Sequence, residues 1–212
     1  MESQSQKPYK TLSTEGTCEL TIQKSVFIGA AFPAPGEQAA LNALATVRAR
    51  WREISHHCYA YVIGKNAGIQ RYSDGGEPSG AAGQPILSVL TSQGIVDAVV
   101  IVTRWFGGIK LGAGGLHRAY TQAAAEAVAA ARPALMQPSV RLMCAVSYAL
   151  NERIDYLLQS APCIVEKKDY AGDVTFTLCA KAADYDALTA LITNAAAGAC
   201  DIIPVEEIWM PW

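Results

Sequence analysis

The chain has 212 residues, 51% hydrophobic and 17% charged, with a formal net charge of −2. That length suits one large or two small domains with real cores, and the composition excludes an intrinsically disordered chain. The near-neutral charge, without blocks of like sign, excludes nucleic-acid binding by bulk charge alone, and no apolar run is long enough to cross a bilayer.

The first residues, MESQSQKPYK, lack the apolar stretch of a secretion signal, so the expected location is cytoplasmic. Residues 1–16 are polar and read as a loose arm. Thr17–Gln23 and Val26–Phe32 read as strands joined at Lys24–Ser25, an antiparallel hairpin. Gly36 to Arg52 has helical spacing, with Leu41, Leu44 and Val47 facing inward and Arg48 and Arg52 outward. Ile54 to His57 leads to a strand at Cys58–Gly64, and Ile69–Tyr72 reads as a short returning strand.

The loop SDGGEPSGAAGQ follows at 73–84. Pro85 suits the first turn of a helix that Gly94 ends. The apolar, β-branched run Ala98–Thr103 reads as a buried strand. Arg104, Trp105 and Phe106 then lead into a loop with five glycines between Gly107 and Gly115, and an alanine-rich helix runs to Ala131. Composition does not call for so many glycines; backbone freedom or close approach does.

Arg132-Pro133 closes that helix, and Met136-Gln-Pro138 is the expected boundary between domains 1–136 and 138–212. Up to residue 135 there are 12 Lys and Arg against 9 Asp and Glu; from 138 onward there are 5 against 10. The second half is therefore the acidic one, and a protein-docking role for it is one reading. Its rhythm is a strand at Val140–Tyr148, a helix at Asn151–Ser160, a hairpin of Cys163–Asp169 and Asp173–Lys181, a helix at Asp184–Ala197 and a strand at Asp201–Trp209. The order βαββαβ is that of the ferredoxin-like split unit, a four-stranded antiparallel sheet with both helices on one face. The fold class expected for the whole chain is α+β.

Six cysteines form no CxxC pair and mostly sit in apolar runs, so they read as reduced, buried small hydrophobes and no metal site is expected. The glycine segment GGIKLGAGG lacks the GK[ST] of a nucleotide P-loop. Two readings of it stand: a donor-rich anion site flanked by Arg104, Lys110 and Arg118, or a tight turn that lets the helix pack on the sheet. His56 and His57 are candidates to line a cleft with it. A Cys58–His57 dyad is disfavoured because neighbours on a strand point to opposite faces. Asp74, Glu77 and Ser79 lie in the first loop; the carboxylates could move protons or hold hydrated Mg²⁺, or could cap turns and pair with Arg71, Arg104 or Lys110. Of Trp105 and Phe106, one is expected in the core and the other free to stack on bases.

The segments HHCYAYVIG, SDGGEPSGAAGQPIL and VTRWFGGIKLGAGGLHRAY, with KSVFIGA before them, closely resemble the YigZ/IMPACT family over about residues 17–130. The resemblance implies a first domain like the second domain of a small-subunit ribosomal protein (a left-handed βαβ arrangement) and like domain IV of elongation factor G. It implies a ferredoxin-like second domain resembling domain V of that factor. Eukaryotic relatives regulate translation through a protein partner of an initiation-factor kinase, and bacterial members are linked to RNA or the ribosome by fold. The positions that carry over are His56, His57, Asp74, Gly75, Glu77, Pro78, Gly80, Gly83, Arg104, Gly107, Gly108, Gly112, Gly114, Gly115 and Tyr120, with no catalytic role or cofactor attached. Two functions follow as expectations. One is a cytoplasmic RNA- or ribosome-binding regulator of translation with no membrane association. The other is an enzyme acting on a small anionic or phosphorylated substrate in the glycine cleft.

Overall fold

A computed structural model of the chain describes residues 7–53 and 56–212. The fold is α+β, and Tyr9–Leu135 and Met136–Trp212 form two compact units, each with its own core.

In the first unit the elements are β1 (Tyr9–Leu12), β2 (Gly16–Ile22), β3 (Ser25–Pro33), α1 (Glu37–Arg50), β4 (His56–Ile63), β5 (Ile69–Ser73), α2 (Gly83–Ser92), β6 (Ala98–Trp105) and α3 (Gly112–Ala130). The sheet order is β2-β3-β6-β4-β5, antiparallel at every pairing. β6 sits at the centre because it is apolar on both faces, and every residue from Ala98 to Arg104 is buried. Val99 and Ile101 pack with Leu44 and Val47 of α1 on one face. Ala98, Val100 and Val102 pack with α2 and α3 on the other.

The alanines of α3 let it lie almost on the strands. A Cβ on Gly29 would stand 2.6 Å from the carbonyl oxygen of Ala123 and 2.8 Å from Cys18 Sγ. The ring of Tyr120 fills the space beside Phe27, edge to face, with centroids 5.3 Å apart.

Two local expectations need correction. The supposed arm contains β1, where Val96 N–H donates to Lys10, and just after it Ser13 N–H donates to Ala131, while residues 1–6, like Ile54 and Ser55, lie outside the described residues. Leu41 is 44% exposed, and Ala40 takes the inward place on α1 instead. The stretch Met136–Pro138 is extended chain inside β7 (Pro133–Val146), and the two units divide at its start.

The second unit continues from β7 with α4 (Asn151–Leu158), β8 (Cys163–Tyr170), β9 (Val174–Lys181), α5 (Tyr185–Ala195) and β10 (Cys200–Pro211). Its strands run in the order β8-β9-β7-β10, all antiparallel. Ile154, Leu158, Leu188 and Ile192 of the two helices bury against Leu142, Cys144, Phe176 and Leu178.

The close seat of α3 predicts that Gly29→Ala destabilises the first unit by about 1–3 kcal/mol, because a backbone carbonyl must shift to admit one methyl. Urea unfolding followed by circular dichroism measures it.

Candidate functional site

Alternation along β6 puts Arg104 on the same face as Val100 and Val102, beneath the loop that joins β5 to α2. The side chain is buried, 5% exposed as a residue. Its Nη1 donates to Glu77 Oε1 at 2.7 Å and its Nη2 to Ser25 Oγ at 3.2 Å. The rings of Phe27 and Phe106 each lie 5.4 Å from the guanidinium carbon. The sequence left two readings of Arg104, a cation for phosphate beside Lys110 and Arg118 or a partner of the Glu77 carboxylate. The guanidinium is enclosed and bonded to Glu77, which is the second of them.

Glu77 is equally enclosed, with 4% of its side chain exposed, and its Oε1 also accepts from the Tyr120 hydroxyl at 2.9 Å. One carboxylate thus joins the first loop, the end of β6 and the third turn of α3. Removing one partner of such a buried pair costs about 3–5 kcal/mol, since the survivor is left charged and unpaired. Burial, with the negative charge of neighbouring groups, pushes the Tyr120 hydroxyl well above the ordinary tyrosine range.

Asp74 shapes the loop from its other end. Its Oδ1 accepts from Ala82 N–H at 3.0 Å and Gly83 N–H at 2.8 Å, and its Oδ2 from Gly80 N–H at 2.9 Å. It therefore caps the first turn of α2 from nine residues upstream. Burial opposes the charge, but these three backbone donors outweigh it and hold the carboxyl below its usual value. Gly75 has φ +54°, and a Cβ there would lie 2.5 Å from the His57 carbonyl oxygen, so the loop rests directly on β4. Both carboxylates of this loop are spent on structure: Asp74 on amides, Glu77 on Arg104 and Tyr120. These are the capping and pairing alternatives for the two carboxylates, with Glu77 engaged through Oε1.

Cys58 is fully buried and donates to the Asp74 carbonyl at 2.9 Å. Burial first, then the nearby carboxylates, pushes its thiol up to about 12, so at neutral pH it is a protonated thiol and no nucleophile. His57 faces the other side of the sheet, where its Nδ1 lies 3.0 Å from Thr103 Oγ1. His56 Nδ1 lies 3.1 Å from the Gly75 carbonyl oxygen. The two histidines are split between the faces, as strand alternation requires.

The glycine segment divides in two. Gly107 is seated against the β2–β3 turn: its N–H donates to Ser25 Oγ at 3.2 Å, and a Cβ on it would overlap the Lys24 carbonyl. Gly108 has φ +84° and continues the loop, whereas Gly112, Gly114 and Gly115 already belong to the first turn of α3. Above this seat the surface is open. Trp105 is 58% exposed and Phe106 49%, so neither is core, both standing at the end of β6. Lys110 and Arg118 are exposed and form no ion pair among the described residues, and Ser79 is exposed as well.

Ser25 and Tyr120 carry the arrangement. Tyr120 is among the positions that the family resemblance carries over, with no role attached, whereas Ser25 was read only as part of a hairpin turn and has no local signal of its own.

Residues 23–128 match the Impact N-terminal domain, and residues 144–199 match a domain of unknown function, DUF1949. The IMPACT family member YvyE of Bacillus subtilis is 34% identical over 198 residues, covering 92% of this chain and 89% of its own length. The chain belongs to the IMPACT family. Within that family, the member YigZ of Escherichia coli is 30% identical over 188 residues, 88% of this chain and 92% of its own length. A solved structure described as a hypothetical protein is 28% identical, superposes with a TM-score of 0.60, and covers 94% of this chain and 98% of its own.

The sign of the Asp74 shift sets an acid limb. A carboxyl held low in the folded state stabilises fully above its unfolded value, near ~3.9, and that stability is lost as pH falls through the lower folded value. Asp74→Asn is therefore expected to reduce stability near neutral pH and to flatten its decline between pH 5 and 2, read from thermal melts across that range.

Proposed function

We propose that this IMPACT-family protein binds RNA in the setting of the ribosome, through the surface that runs from Trp105 to Arg118. The observation that carries the reading is the exposure of Trp105, Phe106 and Ile109 on the same short segment as the exposed Lys110. Large exposed aromatics beside cations suit bases stacking on rings while phosphates meet lysine and arginine. The segment is also fixed from below by Ser25 and Arg104, so little order has to be imposed on binding.

We further take residues 1–136 and 138–212 as its two domains, the first of the ribosomal-protein type and the second ferredoxin-like. The strand order β8-β9-β7-β10, with both helices on one face, supports the second assignment. A regulatory role in translation in the cytoplasm is the context the family resemblance gives. An enzyme in the glycine cleft is less well supported, because Asp74, Glu77 and Cys58 are each engaged internally.

Co-sedimentation with ribosomes and binding to a structured RNA at two salt concentrations test this. Binding is expected to weaken with salt. A folded Lys110→Ala, Arg118→Ala variant should bind less, with a log–log salt slope less negative by about 1.4, at ~0.7 per single-strand phosphate. Absence of binding at about 50 mM salt, where phosphate contacts are strongest, would count against RNA as the partner.

A further inference from the structure

The turn between β2 and β3 is built in a way its own hairpin does not need. Ile22 pairs with Ser25, so Gln23 and Lys24 alone make the turn. Both have left-handed backbone, with φ 45° and 66°. Two-residue turns of this kind favour Asn-Gly or Asp-Gly, because side-chain-bearing residues are strained there. A lysine held in such a position points to use of its side chain.

The turn is also locked to the RNA surface proposed above. The Lys24 carbonyl lies so close to Gly107 that only glycine fits, and Ser25 Oγ, fully buried, accepts from both Gly107 N–H and Arg104 Nη2. Val26 pairs with Trp105 across β3 and β6. Trp105 and Arg104 alternate along the strand, and Phe106 folds back over Arg104, so the two exposed rings stand on opposite faces of the sheet end beside the turn. Lys24 itself is exposed and forms no ion pair among the described residues.

We propose that the Gln23–Lys24 turn is the second wall of this surface and that Lys24 contacts a phosphate of single-stranded RNA. This rests on the RNA-binding reading and narrows it. Rings on two sides of a sheet end can each take an unstacked base, which a duplex does not offer, and a cation on the adjoining turn meets the connecting backbone.

The test is binding of a short labelled oligouridylate, and of a duplex RNA of equal length, to the full chain and to Lys24→Gly, Lys24→Arg and Lys110→Ala, Arg118→Ala variants. Lys24→Gly relieves the left-handed strain, so it is expected to melt at or above the wild-type temperature yet to bind oligouridylate several-fold more weakly. Its salt slope should be less negative by about 0.7, and Lys24→Arg should restore both. A merely structural turn would not separate stability from binding in this way. Wild-type affinity and slope in Lys24→Gly, with weakened Lys110→Ala, Arg118→Ala, would overturn the role of Lys24 and leave the Trp105–Arg118 surface standing. Tighter binding of the duplex would overturn the single-strand class. No binding of the wild type to oligouridylate, duplex or ribosomes would overturn this proposal and the RNA reading together.

Discussion

A charged pair buried under a loop destabilises the fold unless new bonds replace its lost hydration, and Arg104–Glu77 draws such partners from four elements, with only Arg104 Nε left without one. Desolvation costs several kcal/mol per ion, offset here by the 2.7 Å charge-assisted bond, the Tyr120 and Ser25 hydroxyls and two aromatic rings. Because the partners come from β3, the 74–82 loop, β6 and α3, the pair forms only when all four are in place. Apolar packing would tolerate small slips between these elements; a buried ion pair does not.

The consequence for function is a division between underside and surface. Polar groups that look available for chemistry in the sequence, Asp74, Glu77 and Cys58, are engaged in setting the first loop on β4 and α2 and in tying it to β6 and α3. What remains outside is the β6–α3 segment with its exposed rings and cations, and the strained turn of Lys24 beside it. Binding surfaces of this kind work through preorganisation: rigid rings and fixed cations lose little freedom when a strand of nucleic acid settles on them.

Much of the fold was legible because it follows periodicity. The β-branched run of β6, the alanine spacing of α3 and the strand–helix rhythm after residue 138 were each sufficient for their elements. β1 was not legible because it is only four residues long, held through the Lys10 carbonyl and the Thr11 hydroxyl to Val96 and Asp97, too short a run to show a period. For the site, glycine density and turn chemistry located the two loops and the capping and pairing roles open to Asp74 and Glu77. Arg104 was legible as one of two alternatives, a phosphate-binding cation or a partner of Glu77, and the choice could not be made because the partner lies 27 positions away on a separate loop. Trp105 and Phe106 keep to opposite faces, and both are exposed because they stand at the end of the strand.

The most direct measurement is amide hydrogen exchange at Gly107 in the wild type and in Glu77→Gln. That N–H donates to Ser25 Oγ, which Arg104 holds in place, so it reports on the clamp without touching Glu77. If the buried pair fixes the loop, Glu77→Gln should speed exchange at Gly107 by at least about tenfold, with Val100 and Ile101 in the middle of β6 lagging well behind. Unchanged exchange at Gly107 in a folded Glu77→Gln protein would show that the loop holds its shape without the pair, and would contradict the account.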